Sequence, residues 1–224
     1  HVERGSALAE LGRYEDALAA FSRALRIDPR SVDALYNRAV ALLSLQRLDE
    51  ALASFNEALA IAPGFTAALM NRGTVLARLG RTDEAIRSFD AALAREPHNT
   101  TLLSERAHTA LESTRFDVAA DAFTRLLARD PAAPYAVGNL LYANLYCCDW
   151  RNFDAIRDHA IAGLRAGHKT IQPGQLLAVG DNPADQLAAA QQWAAQITPA
   201  NLVPVTRKNT AHGRIRLAYV SGDF

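Results

Sequence analysis

Residues 31–63 read SVDALYNRAVALLSLQRLDEALASFNEALAIAP, a stretch that predicts two helices of similar length separated by a tight turn. The first helix is predicted over about residues 31–45 and the second over about residues 48–61, because apolar residues recur in each at the spacing of one helical face. Those faces carry Leu35, Ala39 and Leu42 in the first helix and Ala51, Phe55 and Ala58 in the second. Small alanines let the two helices approach closely, so the stretch is predicted to form an antiparallel hairpin.

The same pattern returns every 34 residues, and the proline after each second helix stops that helix. The recurring residues are Pro29, Pro63, Pro97 and Pro131; Phe21, Phe55, Phe89 and Phe123; and Ala17, Ala51, Ala85 and Ala119. Gly12 and Gly80 fall between paired helices, where glycine adopts a left-handed backbone at little cost. One hairpin cannot bury its own apolar face, so the repeats predict a stacked solenoid with a concave groove.

This pattern resembles the tetratricopeptide repeat in its length, in the A-x-x-x-F of its second helix and in its terminal proline. Leucine holds the bulky first position of the first helix, at Leu35, Leu69 and Leu103, and the small position is held by Ala39, Gly73 and Ala107. The resemblance covers about residues 1–131 and implies a right-handed α-solenoid. We therefore predict an all-α tetratricopeptide-repeat superhelix with four repeats over residues 1–133 and a degenerate fifth repeat over residues 134–167.

A linker is predicted over residues 168–213. Its first part, residues 168–182, contains glycine and proline and indicates an irregular connector. A helix is predicted over about residues 183–198, with Asp181 or Asn182 as its cap. The apolar face predicted for this helix holds Leu187, Ala190, Ala194 and Ile197, with Trp193 beside it.

The last eleven residues, 214–224, read RIRLAYVSGDF and predict a strand buried on both faces. A lone strand cannot satisfy its backbone hydrogen bonds, and no second strand is predicted before it. We therefore expect the chain to be a piece that ends at the entrance to an α/β domain.

Composition narrows the classes of function. The 224 residues carry 24 basic and 24 acidic side chains. A protein that binds nucleic acid or an anionic membrane is expected to have an excess of basic side chains, so neither partner is expected. No stretch approaches the roughly 18 apolar residues of a membrane span, and the start HVERGSALAE does not resemble a leader, so we expect a cytoplasmic location. No pair of histidines has helical i, i+4 spacing and no C-x-x-C occurs, so no metal site is predicted. The adjacent Cys147 and Cys148 are expected to be reduced and buried.

A second resemblance lies in the linker and at the C-terminus. The segments YCCDW at 146–150, QP at 172–173, DNPA at 181–184 and RIRLAYVSGDF at 214–224 look like those of the bacterial members of the O-GlcNAc transferase/SPINDLY family. In that family a tetratricopeptide superhelix leads through such a linker into a two-lobed GT-B glycosyltransferase domain. The resemblance therefore implies that residues 214–224 form the first strand of a truncated GT-B domain.

The resemblance also implies an activity for the parent protein. The family transfers a sugar from a nucleotide-sugar donor, usually UDP-N-acetylglucosamine, to serine or threonine hydroxyls of proteins, and one branch uses GDP-fucose. Its catalytic histidine and lysine lie beyond the strand, so no catalytic residue and no cofactor is assigned to this chain. The expected partners are extended peptide segments of acceptor proteins, with self-association as a further option, and neither nucleic acid nor membrane.

Three asparagines are the candidate binding residues. In the resembled family, asparagines two residues after the bulky first position line the concave surface and hydrogen-bond the backbone of an extended acceptor. Asn37, Asn71 and Asn139 stand at the matching positions, whereas the fourth repeat has Glu105. An amide side chain both donates and accepts, so it can pair with a peptide group of any sequence. The alternative is that these asparagines are solvated or bond locally within the hairpin.

Aromatic and acidic residues near the fifth repeat are further candidates, and the two tyrosines among them have two interpretations each. Tyr142 and Tyr146, one turn further along the same helix face, either contact an acceptor or pack against the linker. Trp150 and Phe153 are assigned structural roles in the linker, with Trp150 as the apolar anchor where solenoid and linker meet. Asp149 is predicted to cap the helix that follows it.

Two functions from different classes fit the sequence. The first is the acceptor-binding arm and linker of a protein O-glycosyltransferase, with the catalytic domain absent from this chain. The second is a non-catalytic tetratricopeptide adaptor that mediates protein–protein interaction. The predicted C-terminal strand favours the first, because an adaptor is expected to end in a polar capping helix.

Overall fold

The computed structural model describes residues 1–197, which form five successive antiparallel helical hairpins followed by two further helices. The helices are α1 (Val2–Glu10), α2 (Tyr14–Ile27), α3 (Val32–Ser44), α4 (Leu48–Ile61), α5 (Thr66–Arg78), α6 (Thr82–Leu93), α7 (Thr100–Glu112), α8 (Phe116–Leu127), α9 (Ala136–Tyr146), α10 (Phe153–Arg165), α11 (Pro173–Val179) and α12 (Pro183–Ile197). Residues 1–197 contain no strand, and the strand predicted at residues 214–224 lies outside them.

The two helices predicted from residues 31–63 are confirmed as α3 and α4. Ser31 begins α3 by accepting a hydrogen bond from the backbone N–H of Ala34 at 3.3 Å. Asn99 caps α7 in the same way, accepting from the N–H of Leu102 at 3.1 Å. Capping of this kind satisfies one of the N–H groups that the first turn of a helix leaves unpaired.

Each turn between paired helices contains one residue with positive φ, and these residues are 34 apart. They are Gly12, Gln46, Gly80, Thr114 and Cys148, with φ of 73°, 61°, 73°, 61° and 53°. The sequence identified the two glycines, but not the other three, because side chains other than glycine adopt this conformation less readily. Cys148 occupies the turn position of the fifth hairpin, so the 34-residue register continues beyond the last repeat proline.

The core follows the predicted columns. The four repeated phenylalanines and the four repeated alanines are fully buried, each with 0% of its surface exposed. The fit is close at Gly73, where an added Cβ would lie 2.6 Å from Cε1 of Phe89. The first four hairpins therefore share one continuous apolar core. In this core each phenylalanine ring fills the space that the small residues leave.

A column of arginines, which the sequence analysis did not single out, joins neighbouring hairpins. Arg72 on α5 donates to Oδ1 of Asn56 in the preceding hairpin at 2.8 Å and to Oγ of Ser88 in its own at 3.3 Å. Arg106, 34 residues later, bonds Asp90 in the preceding hairpin and Asp121 in its own, at 2.7 and 3.0 Å. The signal in the sequence was the recurrence of arginine with the same 34-residue period, at Arg72 and Arg106.

The first helices of the hairpins lie on the inside of the stack. Helices α1, α3, α5 and α7 contact one another from one hairpin to the next, more closely than the second helices do. A stack whose first helices are closer together curves toward them, so they line the concave side.

The segment after the fifth hairpin is more ordered than predicted. The backbone N–H of Gly138 donates to the carbonyl of Thr170 at 2.9 Å, which holds the segment across the N-terminal part of α9. The prediction of an irregular connector over residues 168–182 is wrong in its second half, where α11 forms. Pro173 occupies the first turn of α11, and Gln172 and Gln175 form a reciprocal capping box.

Helix α12 begins where the sequence predicted, but it buries a different face. Asn182 is the cap, since its Oδ1 accepts from the N–H of Ala184 at 2.9 Å. Leu187, predicted to face the core, is 59% exposed, whereas Asp185 and Ala189 are buried. The reason is a bidentate ion pair, in which Arg165 of α10 holds Asp185 through two hydrogen bonds of 2.8 and 2.7 Å. This pair fixes the rotation of α12 against the apolar preference.

The docking of α12 is expected to depend on pH. The hydrogen bond from Arg165 lowers the pKa of Asp185 below its ordinary value. A carboxyl whose pKa is lower in the folded state stabilises that state above its unfolded pKa of about 3.9 and loses this contribution as the pH falls. We therefore expect α12 to leave its site in acid. In a Trp150→Phe background, the emission of Trp193, which packs edge-on against Tyr135 at 5.6 Å, reports this change.

The variant Arg165→Gln tests the cause. It is expected to move the acid transition of Trp193 emission to higher pH, since it removes the group that keeps Asp185 ionised. Arg157→Gln is the matched control, because Arg157 also lies on α10 but pairs with Asp154 and Asp158. Identical acid transitions in wild type and Arg165→Gln would contradict the role assigned to the pair.

Candidate peptide-binding groove

The concave side of the solenoid carries a row of polar and apolar side chains, which we call the groove. Its residues stand at equivalent positions of successive first helices and are mostly half-buried. They are Tyr36, Asn37 and Val40 on α3; Met70, Asn71 and Thr74 on α5; Ser104, Glu105 and His108 on α7; and Tyr142 on α9. A surface of this kind presents hydrogen-bonding groups between apolar contacts, as a site for an extended chain requires.

Asn37 and Asn71 lie in the groove on neighbouring helices. The Nδ2 of Asn71 donates to the hydroxyl of Tyr36 on the preceding first helix at 3.0 Å. A carboxamide has two N–H donors and one carbonyl acceptor, so this contact uses one donor and leaves the acceptor. Tyr36 is itself positioned by the rings of Phe65 at 4.9 Å and Phe55 at 5.9 Å. The bond of Asn71 therefore joins neighbouring hairpins and is not the local bond within one hairpin that was the alternative, and groups remain that can bond a ligand.

Asn139 is not presented to the groove, although it occupies the matching sequence position. It is only 2% exposed, and its Oδ1 accepts a hydrogen bond from Nε2 of Gln175 on α11 at 2.7 Å. Its Nδ2 lies 3.4 Å from Nε2 of His108. Both ends of the amide are therefore occupied inside the protein, and the prediction that Asn139 binds an acceptor is wrong. The cause is the return of the chain over α9, which the repeat pattern cannot indicate.

Asn139 belongs to a chain of hydrogen bonds that fastens α11 to the solenoid. Nδ1 of His108 lies 2.8 Å from the carbonyl of Ser104, so in the neutral ring Nδ1 donates and Nε2 accepts from Asn139. Gln175, which donates to Asn139, also accepts at Oε1 from the N–H of Gln172 at 3.1 Å. The groove therefore ends at α11, in a cavity of about 510 Å³ between α7, α9 and α11.

Aromatic rings border this end of the groove. Tyr146 stacks on Phe116 with ring centroids 4.4 Å apart, and Tyr142 packs edge-on against the same ring at 6.1 Å. The hydroxyl of Tyr142 donates to that of Tyr146 at 3.2 Å, and this bond raises the pKa of Tyr142. Tyr142 lines the cavity together with Gln172 of the linker, whereas Tyr146 is 58% exposed. Tyr142 thus lies beside the linker and also faces the cavity, and Tyr146 is exposed, so both predicted alternatives remain open.

Of the residues predicted to be structural after Tyr146, Phe153 packs against the apolar core, whereas Trp150 and Asp149 do not have the roles predicted for them. Trp150 is 58% exposed and packs edge-on against Phe153 at 5.2 Å, so it is not a buried anchor. Phe153 is partly buried against the apolar cluster of α9, α10 and α11. Asp149 does not cap α10, which begins at Phe153. Instead it accepts from the backbone and guanidinium of Arg151, and the guanidinium lowers the pKa of Asp149 to about 2.

The two cysteines are both free and exposed, so the prediction that they are buried is wrong. Their place in the turn between α9 and α10 explains this, because that turn faces outward. Partial burial and the nearby Asp117 raise the pKa of Cys147, which disfavours its reactive thiolate.

The described residues contain neither a membrane span nor a metal-binding cluster. No helix within residues 1–197 is long and apolar enough to cross a membrane. In the same part of the chain, no three histidine, cysteine or carboxylate side chains come together in a way that could hold a metal ion.

A curved stack of helical hairpins with an open inner groove defines a class of protein–protein interaction module. Family models described as tetratricopeptide repeat match residues 2–64, 46–104 and 76–145. The chain therefore belongs to the tetratricopeptide repeat family. No curated protein sequence matches the chain.

Solved structures with the same fold include YrrB, described as a TPR protein with an unusual peptide-binding site. YrrB is 20% identical, with a TM-score of 0.66, and the match covers 85% of this chain and 90% of YrrB. A MamA crystal structure is 15% identical with a TM-score of 0.66, covering 73% and 95% of the two chains. MamA from Desulfovibrio magneticus RS-1 is 18% identical with a TM-score of 0.65, covering 74% and 92%. At these identities the likeness shows the fold alone.

Proposed function

We propose that the groove binds extended peptide segments of partner proteins through their backbone. The observation that carries this proposal is the placement of Asn37 and Asn71 at equivalent positions of neighbouring first helices on the concave side. Their amides can bond peptide groups irrespective of side chain, which suits a site for many sequences. The fold shared with YrrB, described as having a peptide-binding site, supports the same class of ligand.

Removing both amides tests the proposal. A net hydrogen bond contributes about 0.5–1.5 kcal/mol, so two lost bonds amount to about 1–3 kcal/mol. The double variant Asn37→Ala, Asn71→Ala is therefore expected to weaken peptide binding about 5- to 150-fold. Binding is measured by fluorescence anisotropy with a set of labelled extended peptides of unrelated sequence, and the melting temperature is recorded in parallel.

Asn56→Ala is the matched control for this variant. Asn56 lies exposed on α4, outside the groove, and accepts a hydrogen bond from Arg72. The control is expected to bind the peptides as the wild type does. If the double variant loses stability while its peptide binding stays unchanged, the asparagines are structural and the proposal fails.

We further infer that the bound peptides are acceptor segments of a protein O-glycosyltransferase, whose donor is UDP-N-acetylglucosamine or GDP-fucose. The support is the similarity of the linker segments, among them YCCDW at residues 146–150 and DNPA at residues 181–184, to those of the O-GlcNAc transferase/SPINDLY family. The second candidate is a non-catalytic adaptor, which the hairpin solenoid and its groove favour to the same degree.

Donor binding distinguishes these two candidates. Each nucleotide sugar is titrated calorimetrically into the whole protein that the gene encodes, and transfer to a peptide that binds the groove is followed with radiolabelled donor. The transferase proposal expects saturable binding of one donor and label on serine or threonine. Binding of neither donor, together with peptide binding that depends on Asn37 and Asn71, establishes the adaptor.

A further inference from the structure

The cavity at the α11 end of the groove differs chemically from the rest of the groove. Its volume is about 510 Å³, and its walls combine the carboxylate of Glu112 with the imidazole of His108, an aromatic ring, amide groups and the apolar side chain of Leu111. Its lining includes Leu111 and Glu112 from α7, Tyr142 from α9, and Gln172 and Gln175 from the linker. The cavity thus lies directly on the path that an extended peptide in the groove would follow.

Glu112 is the charged group of this cavity, and it is exposed. The arginines of the neighbouring turns are engaged elsewhere, Arg81 with Glu84 at 2.7 Å and Arg115 with Asp83 at 2.7 Å. Within residues 1–197 no arginine or lysine lies within ion-pair distance of Glu112. Among the described residues its carboxylate therefore has no arginine or lysine partner, and it stands at the edge of the cavity.

The charge of the wider groove has the same sign. Two positions of the first helix, those of Asn37 and Ser44, recur in every hairpin and lie on the concave side of the first four. Glu3 and Glu105 occupy the position of Asn37, and Glu10 and Glu112 occupy that of Ser44. The basic residue at these positions is Arg78, which occupies that of Ser44. Arg78 in turn donates to the side chain of Gln46. At these two positions acidic residues outnumber basic ones by four to one, a balance that favours positively charged segments.

The aromatic border favours a particular form of positive charge. A guanidinium or ammonium group near the face of a tyrosine ring is stabilised by the ring quadrupole. Tyr142 lines the cavity, and its neighbour Tyr146, with the two ring centroids 4.8 Å apart, continues the aromatic surface outside it. The aliphatic part of an arginine or lysine side chain has an apolar contact available at Leu111.

We propose that this cavity is a subsite for an arginine or lysine side chain of the bound peptide, with Glu112 as counter-ion and Tyr142 as the aromatic wall. The proposal rests on the peptide-binding function proposed above and adds the class of peptide, which is basic. The hydrogen bonds of Asn139 and Gln175 hold α11 in place and so complete the wall of the subsite.

Peptide pairs that differ only in charge test the subsite. Labelled 12-residue peptides of mixed neutral sequence carry at one position either arginine or citrulline, which has nearly the same shape and no charge. The arginine peptides are expected to bind about 10-fold more tightly to the wild type at low salt. Glu112→Gln is expected to abolish this preference and to leave citrulline peptides unaffected, and Tyr142→Leu to reduce it. Glu15→Gln on α2 is the control and is expected to keep the preference, because Glu15 lies outside the groove beside Arg47.

The outcomes separate this subsite from the groove itself. Equal binding of arginine and citrulline peptides, with both still dependent on Asn37 and Asn71, overturns the subsite and leaves the proposed function standing. A preference for arginine that survives Glu112→Gln also overturns it, since the charge then acts elsewhere. Failure of every peptide to bind the wild type overturns the proposed function and the subsite together.

Discussion

Replacing Phe89 by alanine is expected to lower the free energy of unfolding by about 3–5 kcal/mol, the range for truncating a buried phenylalanine. Phe89 is fully buried on α6, and its ring is close enough to Gly73 on α5 that no side chain fits between them. The alanine variant therefore leaves a cavity that neither helix can close without moving backbone. Chemical denaturation followed by circular dichroism at 222 nm measures the loss.

Two controls give the Phe89 result its meaning. Leu187→Ala removes a large apolar side chain that is 59% exposed, and it is expected to change stability by less than about 0.5 kcal/mol. Phe21→Ala affects the equivalent ring in the first hairpin, which in a polypeptide of these 224 residues packs against the second hairpin through α3, so its effect on such a polypeptide is expected to be smaller. An equal loss from Phe89→Ala and Leu187→Ala would contradict the assignment of the phenylalanine column to the core.

The variant Gly138→Ala is expected to detach the linker segment from α9, at a cost of about 1–3 kcal/mol. An added Cβ at Gly138 would lie 2.8 Å from both Cα of Ile171 and the carbonyl oxygen of Thr170, and 2.7 Å from Oε1 of Gln175. Backbone atoms cannot yield as a flexible side chain does, so the steric cost exceeds the roughly 1 kcal/mol by which alanine favours a helix over glycine. Hydrogen exchange in the linker, at Ile171 and Leu176, is expected to become faster.

Gly174→Ala is the matched control, because an added Cβ at that position meets no atom within 4 Å. It is expected to leave the exchange of Ile171 and Leu176 unchanged. Detachment in Gly138→Ala should also expose Asn139, so the variant is expected to lose the arginine preference of the α11 cavity. Unchanged exchange in Gly138→Ala would show that α11 is not held on the solenoid as described.

The parts of the fold that repeat could be predicted from the sequence. Pro63, Phe55 and Ala51 recur at one spacing, and their apolar periodicity located α3 and α4 closely. These predictions succeed because each hairpin meets the same local environment, so propensity, periodicity and packing agree. The 34-residue period also contained the arginine column and the three turn residues with positive φ that are not glycine, but these were missed because their residue types are not diagnostic by themselves.

The parts that do not repeat were predicted less well. The start of α12 was predicted correctly but its buried face was not, because the ion pair between Arg165 and Asp185 joins residues 20 apart in the chain. Trp150 was assigned to the core by residue type alone, yet the structure exposes it. A large apolar side chain predicts burial only where a neighbouring element covers it, and periodicity does not reveal such neighbours.

The sequence by itself determined the hairpin, its repetition and the concave side on which Asn37 and Asn71 lie, because these depend on contacts within one repeat and its neighbour. Only the tertiary structure decided that Asn139 is withdrawn from the groove and that the groove ends in a cavity beside Glu112 and Tyr142. That outcome depends on Gln175, 36 residues further along the chain, which returns over α9. A local pattern specifies local geometry, whereas the availability of a side chain depends on every segment that folds back upon it.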